Sequence, residues 1–276
     1  MRPEFELLLS CARRFIDDGC VENLRSLLRG GIDWLYLLRQ ADAHGLTPLL
    51  CWHLTNSCRD EIPRPLLEQL RDHFYSNARS NLLLTGELLE LLDLLAVRGI
   101  RAIPFKGPAL AASVYGNIAL RQFCDLDLLV DANAVPKIAD LLASRGYRPE
   151  FNLTRAREAA FLRYQSERLF RRDRVVVEIQ WRIAPRYFSF PLDYGSLWER
   201  LRPIVLGDRK VLTLSPEDSL LILCVHGAKP LWERLGWICD VAELVRAHDG
   251  LDWRRAVEQA VESGSEPRCQ GCGRPP

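Results

Sequence analysis

The sequence predicts an α+β fold in which a mixed sheet with helices lies between two helical regions. Apolar residues recur at helical spacing from Phe5 to about Val97, whereas short runs rich in β-branched and aromatic residues follow Gly99. From Ser215 the pattern is helical again. We therefore expect a helical region over 1–97, a mixed core over 98–212, a helical region over 213–264 and a tail over 265–276.

The first region is predicted to be helical because its leucines recur three and four residues apart. Residues 82–99 read LLLTGELLELLDLLAVRG, so a broad apolar stripe extends from Leu82 and Leu83 to Leu95. Such a stripe is more often part of a core than a partner-binding surface, and we expect it to be buried. Pro63 and Pro65 interrupt the region.

The mixed core begins with GIRAIPF, which predicts a strand. A tight turn at 106–108 and a helix in ALAASVYGN are expected next. FCDLDLLVD predicts a second strand, and a helix from about Val135 to Ser144 should end at Gly146. Two further β-like runs, SERLFRR and RVVVEIQWRI, are separated by Asp173.

The C-terminal helical region has a clear start signal. Ser215 suits an N-cap, Pro216 suits the first helical position, and two acids follow in the first turn. Pro230 is expected to end or kink this helix before LWERLGWICDVAELVRAH.

The two helical regions share one sequence pattern. Residues 31–45 and 250–264 have Gly, Asp-Trp, Gln-Ala and Gly at the same spacing, with Asp33 and Asp252 as expected N-caps. The first copy continues into the apolar helix TPLLCWHL, whereas the second runs into GSEPRCQGCGRPP, which has no helical pattern. Either the C-terminus is truncated or frameshifted, or this segment is an ordinary tail and the similarity is chance.

The composition argues against nucleic-acid and membrane partners. Lys plus Arg total 37 and Asp plus Glu total 36, so no basic surface for a nucleic acid is indicated, although a tRNA partner stays open. The N-terminus lacks signal-peptide features and no apolar run approaches membrane-spanning length, so we expect a cytoplasmic protein. Nine scattered cysteines favour buried thiols, and Cys269 and Cys272 lack the further ligands of a zinc site.

One acidic pair is the strongest candidate for chemistry. Successive side chains of a strand point to opposite faces, so Asp125 and Asp127 share a face. Carboxylates this close repel unless a cation neutralises them, and oxygen ligands suit Mg²⁺ or Mn²⁺. Glu178 shares a face with Val176 and Gln180 in a later strand. If the strands are neighbours, three acids meet, as two metal ions that clamp an in-line displacement require.

Three basic or flexible residues precede this pair. Lys106 and Gly107 lie where a strand ends and a helix begins, so backbone N–H groups there are expected to cradle a triphosphate, and Lys106 adds positive charge. Arg121 lies four residues before Asp125 and is expected to pair with a terminal phosphate through its planar guanidinium.

The segment FKGPALAASVYGNIALRQFCDLDLLVD resembles the signature of the uncharacterised bacterial nucleotidyltransferase family within the DNA polymerase β-like nucleotidyltransferase superfamily. It is also similar to the abortive-infection nucleotidyltransferase toxins, which share the order Lys-Gly, Arg, Asp-x-Asp. The resemblance extends over the N-terminal helices, the mixed core and residues 216–245. It implies Asp125 and Asp127 as metal ligands and Glu178 as the third acid. The family strand often reads acid-x-His-Trp, and Gln180 replaces that His here.

We therefore expect an Mg²⁺- or Mn²⁺-dependent nucleotidyltransferase whose catalytic core is 98–212. It would move an NMP group from an NTP, such as ATP, to a small molecule, a sugar or a protein. Asp125, Asp127 and Glu178 would hold the metal, and Glu178 would help to deprotonate the acceptor. The nucleotide would contact Lys106, Gly107 and Arg121. The alternatives are a catalytically inactive NTP-binding or scaffold protein, and a toxin-like transferase acting on tRNA or protein.

Several residues have competing interpretations. Glu178 is either the third acid or a salt-bridged edge residue, in which case Glu167 supplies the ligand. His226 is interpreted as a hydrogen-bonded core histidine rather than an acceptor-site residue, and Asp240 fits a buried cap or ion pair as well as a functional position. The aromatic residues interpreted as helix packing rather than base-stacking surfaces are Trp232, Trp237 and Trp253.

Overall fold

Within residues 1–184 and 194–264, which the computed structural model describes, helices form both ends of the chain and a five-stranded sheet lies between them. The predicted α+β class is therefore confirmed. The tail over 265–276, with Cys269 and Cys272, lies outside the described residues. The helices are α1 (Pro3–Cys11), α2 (Asp18–Arg29), α3 (Trp34–Ala43), α4 (Thr47–Ser57), α5 (Arg64–Val97), α6 (Gly107–Leu110), α7 (Val135–Ser144), α8 (Arg155–Tyr164), α9 (Tyr194–Glu199), α10 (Pro216–Ala228), α11 (Leu235–Ala247) and α12 (Trp253–Gly264). The strands are β1 (Ala102–Pro104), β2 (Asp125–Val130), β3 (Arg148–Pro149), β4 (Glu167–Arg172), β5 (Val175–Gln180), β6 (Arg202–Leu206) and β7 (Arg209–Thr213).

The 34-residue helix α5 connects the N-terminal helices to the sheet. Its buried Leu84, Leu88 and Leu95 lie on one side and pack against the sheet. Leu82 and Leu83 were expected in the same buried stripe, but their side chains are 63% and 68% exposed. At about 3.6 residues per turn, the helix turns both of them away from the face that Leu84 and Leu88 share.

The sheet has the strand order β1-β2-β5-β4-β3. Strands β2 and β5 are parallel, and the other neighbouring pairs are antiparallel. Residues Leu126 and Val177 belong to the face that packs against α5 and α7. On the other face, Leu129 packs with Ile222 of α10. Alternation along β2 therefore turns Asp125 and Asp127 toward the α10 side.

Strands β6 and β7 form a separate hairpin that the sequence did not predict. The Thr213 hydroxyl donates a 2.6 Å hydrogen bond to the Pro104 carbonyl, which attaches the hairpin to the edge strand β1. Because most hairpin residues are exposed, including Val205 and Leu212, the hairpin lacks the alternation of a half-buried strand. Strand β3 and helix α8 were missed as well.

The predicted caps are confirmed. The Ser215 hydroxyl accepts from the Asp218 N–H at 3.2 Å, and α10 ends at Ala228, two residues before Pro230. Asp33 accepts from the Tyr36 N–H, and Asp252 accepts from the Arg255 N–H, so both copies of the repeated pattern begin a helix in the same way. Among the described helices, none is both long and apolar enough to cross a membrane.

Candidate active site

The parallel pairing of β2 and β5 brings the predicted acids together. Asp127 lies directly opposite Glu178, and Asp125 lies opposite Val176. The expectation that the two strands are neighbours with matching faces is therefore confirmed. The alternate side chains, among them Leu126 and Leu128, are buried on the other face, and this packing holds the carboxylates toward α10.

A further carboxylate comes from β4. Glu167 pairs with Gln180 in the register of β4 and β5, and its side chain hydrogen bonds to Glu178. From the sequence, Glu167 was the alternative to Glu178 as the third acid. In the structure, both side chains line the same cavity. Asp125, Asp127, Glu178 and Glu167 therefore converge from three adjacent strands.

Lys106 forms a buried ion pair with this cluster. Its Nζ lies 2.6 Å from Asp127 Oδ1, and the two side chains are 11% and 2% exposed. Burial lowers the pKa of Lys106, but the charges of Asp127 and Glu178 outweigh burial and raise that pKa above its usual value. Gln180 Nε2 also donates to Asp127 Oδ1, at 3.2 Å, and to Glu178 Oε1. Asp127 is therefore held by a cation and an amide.

Lys106 does not offset the burial and mutual repulsion of the remaining acids. Burial, followed by the charge of Asp127, raises the pKa of Asp125. The same two causes, with the hydrogen bond that protonated Glu178 donates to Glu167, raise the pKa of Glu178 to about 9. In both cases Lys106 opposes the rise without cancelling it. The cluster therefore has more carboxylates than one ammonium group neutralises.

The donor set fits Mg²⁺ or Mn²⁺ by its chemistry, because it offers carboxylate oxygens. Asp125 and Asp127 extend from one strand, and Glu178 faces them from the next. Across the part of the chain that the structure describes, no three acidic, histidine or cysteine side chains are close enough to ligate one ion together. Lys106 lies against Asp127, where its charge compensates that one carboxylate.

Gly107 allows the turn that presents Lys106. Its φ of +51° lies in the left-handed region, and a Cβ there would lie 3.1 Å from the Asp125 carbonyl oxygen. The expected cradle of several backbone donors is wrong for this turn. Pro108 has no N–H, and the N–H groups of Ala109 and Leu110 donate to the Lys106 carbonyl. A contact between Gly107 itself and the nucleotide stays a prediction.

We expect Gly107→Ala to lower the free energy of unfolding by about 1–2 kcal/mol, since an L-residue is strained at this φ and its methyl group would press on β2. Chemical denaturation measures this change. The matched control is Gly86→Ala, on the exposed side of α5 with nothing within 4 Å of the added Cβ. It should be neutral or stabilise by about 0.5–1 kcal/mol. Equal stability of the two variants would contradict the role of Gly107.

Arg121 pairs with a carboxylate that is distant in sequence. Its Nε and Nη2 donate to the two carboxylate oxygens of Asp240 at 2.9 and 2.8 Å, and the Tyr115 hydroxyl donates to Asp240 at 2.8 Å. Asn81 of α5 donates to the Arg121 carbonyl at 2.8 Å. The ion-pair interpretation of Asp240 is confirmed, and the contact between Arg121 and a terminal phosphate stays a prediction.

The acids face a cavity of about 250 Å³ whose other wall is helix α10. His226 and Lys229 line that wall together with Ile222. His226 is half-buried, and its ring packs edge-on against Trp237 at a centroid distance of 5.4 Å. The interpretation of His226 as a hydrogen-bonded core histidine stays a prediction. Burial, with the charges of Lys106 and Lys229, lowers the pKa of His226 to about 3, so the imidazole is neutral.

The sequence patterns did not identify Lys229 as a candidate site residue. It follows His226 by three residues, so helical spacing places both on one face of α10. The spacing shows that the two residues share a face of α10. Only the packing of α10 on the sheet shows that this face borders the acids.

Two solved structures have a weak likeness to this chain. The crystal structure of ANT(2″)-Ia in complex with adenylyl-2″-tobramycin shares 16% identity over 66% of this chain and 97% of that chain, with a TM-score of 0.47. The solution structure of the antibiotic-resistance factor ANT(2″)-Ia shares 15% identity over 65% and 90%, with a TM-score of 0.44.

No curated protein matches the sequence. In contrast, residues 30–272 match a family model described as uncharacterised nucleotidyltransferase. Because that match extends over most of the 276 residues, the chain belongs to the uncharacterised nucleotidyltransferase family.

Proposed function

We propose that this protein is a cytoplasmic, Mg²⁺- or Mn²⁺-dependent enzyme that transfers an NMP group from an NTP, with ATP as the expected donor. The observation that best supports this proposal is the pairing of β2 with β5, which sets Asp125 and Asp127 beside Glu178. Asp125, Glu178 and Lys106 line the adjoining cavity. The acceptor belongs to one of the classes expected from the sequence, which are a small molecule, a sugar or a protein, with tRNA as the alternative.

The proposed reaction is one in-line displacement. An acceptor oxygen forms a bond to the α-phosphorus, the bond from that phosphorus to the bridging α–β oxygen breaks, and pyrophosphate leaves. The acceptor's proton passes to a carboxylate of the cluster, for which we propose Glu178. Bound Mg²⁺ or Mn²⁺ would neutralise developing charge on the phosphate oxygens.

We assign a separate role in this reaction to each residue of the site. Asp125, Asp127 and Glu178 would hold the metal, and the register of β2 and β5 supports their shared site. Lys106 balances the charge of Asp127 and contributes positive potential to the polyphosphate. Gly107 and Arg121 are proposed to contact the nucleotide from the turn before α6 and from the loop before β2. Phe105, Ile183 and Ile222 supply apolar surface in the same cavity.

To test the proposal, the wild-type protein is incubated with Mg²⁺ or Mn²⁺ and with each of the four NTPs in turn, labelled at the α-phosphate. Fractions of a cell extract supply the acceptor. We expect one NTP to transfer label to a new species with equal release of pyrophosphate, and EDTA to stop both. NTP binding without label transfer or pyrophosphate release in every fraction would favour the non-catalytic alternative. Label in tRNA would select the toxin-like alternative.

A further inference from the structure

We propose that Lys229 binds the β- and γ-phosphates of the NTP, which leave as pyrophosphate. This inference rests on the proposed function and extends it, because it assigns the leaving-group contact to α10 of the C-terminal helical region. Three features of the described residues support it, namely the charge partners of the other cations, the position of Lys229 and the constrained backbone that follows it.

The two cations expected from the sequence to meet phosphates are already paired with carboxylates. Lys106 contacts Asp127, and Arg121 is held by both carboxylate oxygens of Asp240. A triphosphate brings several negative charges, and each of these cations has most of its charge balanced within the protein. The cavity therefore needs a further positive group to hold a polyphosphate.

Lys229 is such a group. Of the described residues that line the cavity, the lysines are Lys106 and Lys229. The Lys229 ammonium donates to the backbone carbonyl of Ile183 at 2.5 Å, and this acceptor is uncharged. The residue is exposed overall, and its ammonium is partly buried beside Ile183, so an incoming anion reaches it without unfolding. The carbonyl contact orients Nζ toward the cavity and leaves its charge for a ligand.

The backbone that follows Lys229 is constrained. Leu231 and Trp232 both have left-handed backbone conformations, with φ of 55° and 58°, which side-chain-bearing residues adopt at an energetic cost. The Trp232 N–H donates to the Gly227 carbonyl at 2.8 Å. The Trp232 ring fills the space above Gly227, where a Cβ would lie 2.3 Å from it. Strain of this kind persists where the surrounding structure requires it, often at ligand sites.

The charge of Lys229 itself favours phosphate over a cationic acceptor as its partner. A cationic acceptor would be repelled by the ammonium, whereas pyrophosphate carries the opposite charge and can accept from it. Burial lowers the pKa of Lys229 overall, although the charges of Glu167, Glu178 and Asp127 oppose this shift. Metal ions bound to the same phosphates would offset the repulsion from Glu167.

The experiment is a calorimetric titration of the full chain with inorganic pyrophosphate and Mg²⁺. Lys229→Gln should bind pyrophosphate roughly ten- to a hundredfold more weakly than wild type, as expected for the loss of one charge-assisted hydrogen bond. Lys229→Arg should recover most of the affinity. The matched control is Lys137→Gln, an exposed lysine on α7 outside this cavity, and its affinity should equal that of wild type.

Equal pyrophosphate affinities of wild type and Lys229→Gln would overturn the inference, and so would wild type that does not bind pyrophosphate. Unchanged pyrophosphate affinity with slower transfer would assign Lys229 to the acceptor and would also overturn it. Circular dichroism verifies that each variant is folded, and Lys229→Ala provides a second neutral variant. The titration needs no turnover, so its failure is distinct from failure of the proposed function, which wild-type label transfer tests alone.

Discussion

Asp125→Asn is expected to lower nucleotidyl transfer at least about a thousandfold, a loss of roughly 4 kcal/mol of transition-state stabilisation, without lowering the stability of the fold. The activity falls because an amide is a far weaker metal ligand than a carboxylate. Stability should hold or rise because burial and Asp127 raise the pKa of Asp125, so the ionised group is less favourable in the folded protein than in water. Label transfer and chemical denaturation measure the two effects.

Replacing Asp125 tests the metal site more cleanly than replacing Asp127. Asp127 balances the buried Lys106, so Asp127→Asn would leave an unpaired ammonium and destabilise the fold while also removing a ligand. A matched control is Asp173→Asn, which changes an exposed acid in the turn between β4 and β5. It should keep full activity. Wild-type activity of Asp125→Asn would remove Asp125 from the proposed metal site.

Asp240→Asn is expected to lower the free energy of unfolding by about 3–5 kcal/mol. Asp240 is 3% exposed and holds Arg121 through two hydrogen bonds, so the amide would leave the Arg121 guanidinium partly buried without its counter-charge. The Tyr115 hydroxyl can still donate to the amide oxygen, which separates the loss of charge from the loss of a hydrogen bond. Urea denaturation measures the change.

Two control experiments separate the effect of the buried ion pair from other effects on stability. Asp93→Asn removes the partner of Arg209 in an exposed ion pair, and the midpoint of denaturation should stay nearly unchanged because solvent screens that pair. A double-mutant cycle with Arg121→Gln and Asp240→Asn gives the coupling of the buried pair. If Asp240→Asn left stability unchanged but strengthened NTP binding, Asp240 would be restraining a nucleotide-binding Arg121 rather than supporting the fold.

Local sequence patterns were sufficient to predict the elements that carry the site. Alternation in FCDLDLLVD and RVVVEIQWRI predicted β2 and β5, and cap residues predicted the start of α10. These features depend on residues within a few positions of one another, because side-chain direction and capping repeat with the period of the helix or strand. The exposed hairpin β6–β7 lacks such periodicity, so it was missed.

The sequence by itself determined that Asp125 and Asp127 share a face and that Glu178 faces one side of its strand. Only the tertiary structure decided that Glu178 lies opposite Asp127, that Lys106 neutralises Asp127, and that Arg121 pairs with Asp240, 119 residues away. The physical reason is that strand order and helix packing depend on contacts between distant segments. A local pattern specifies which way a side chain points, but the packed core decides what it meets.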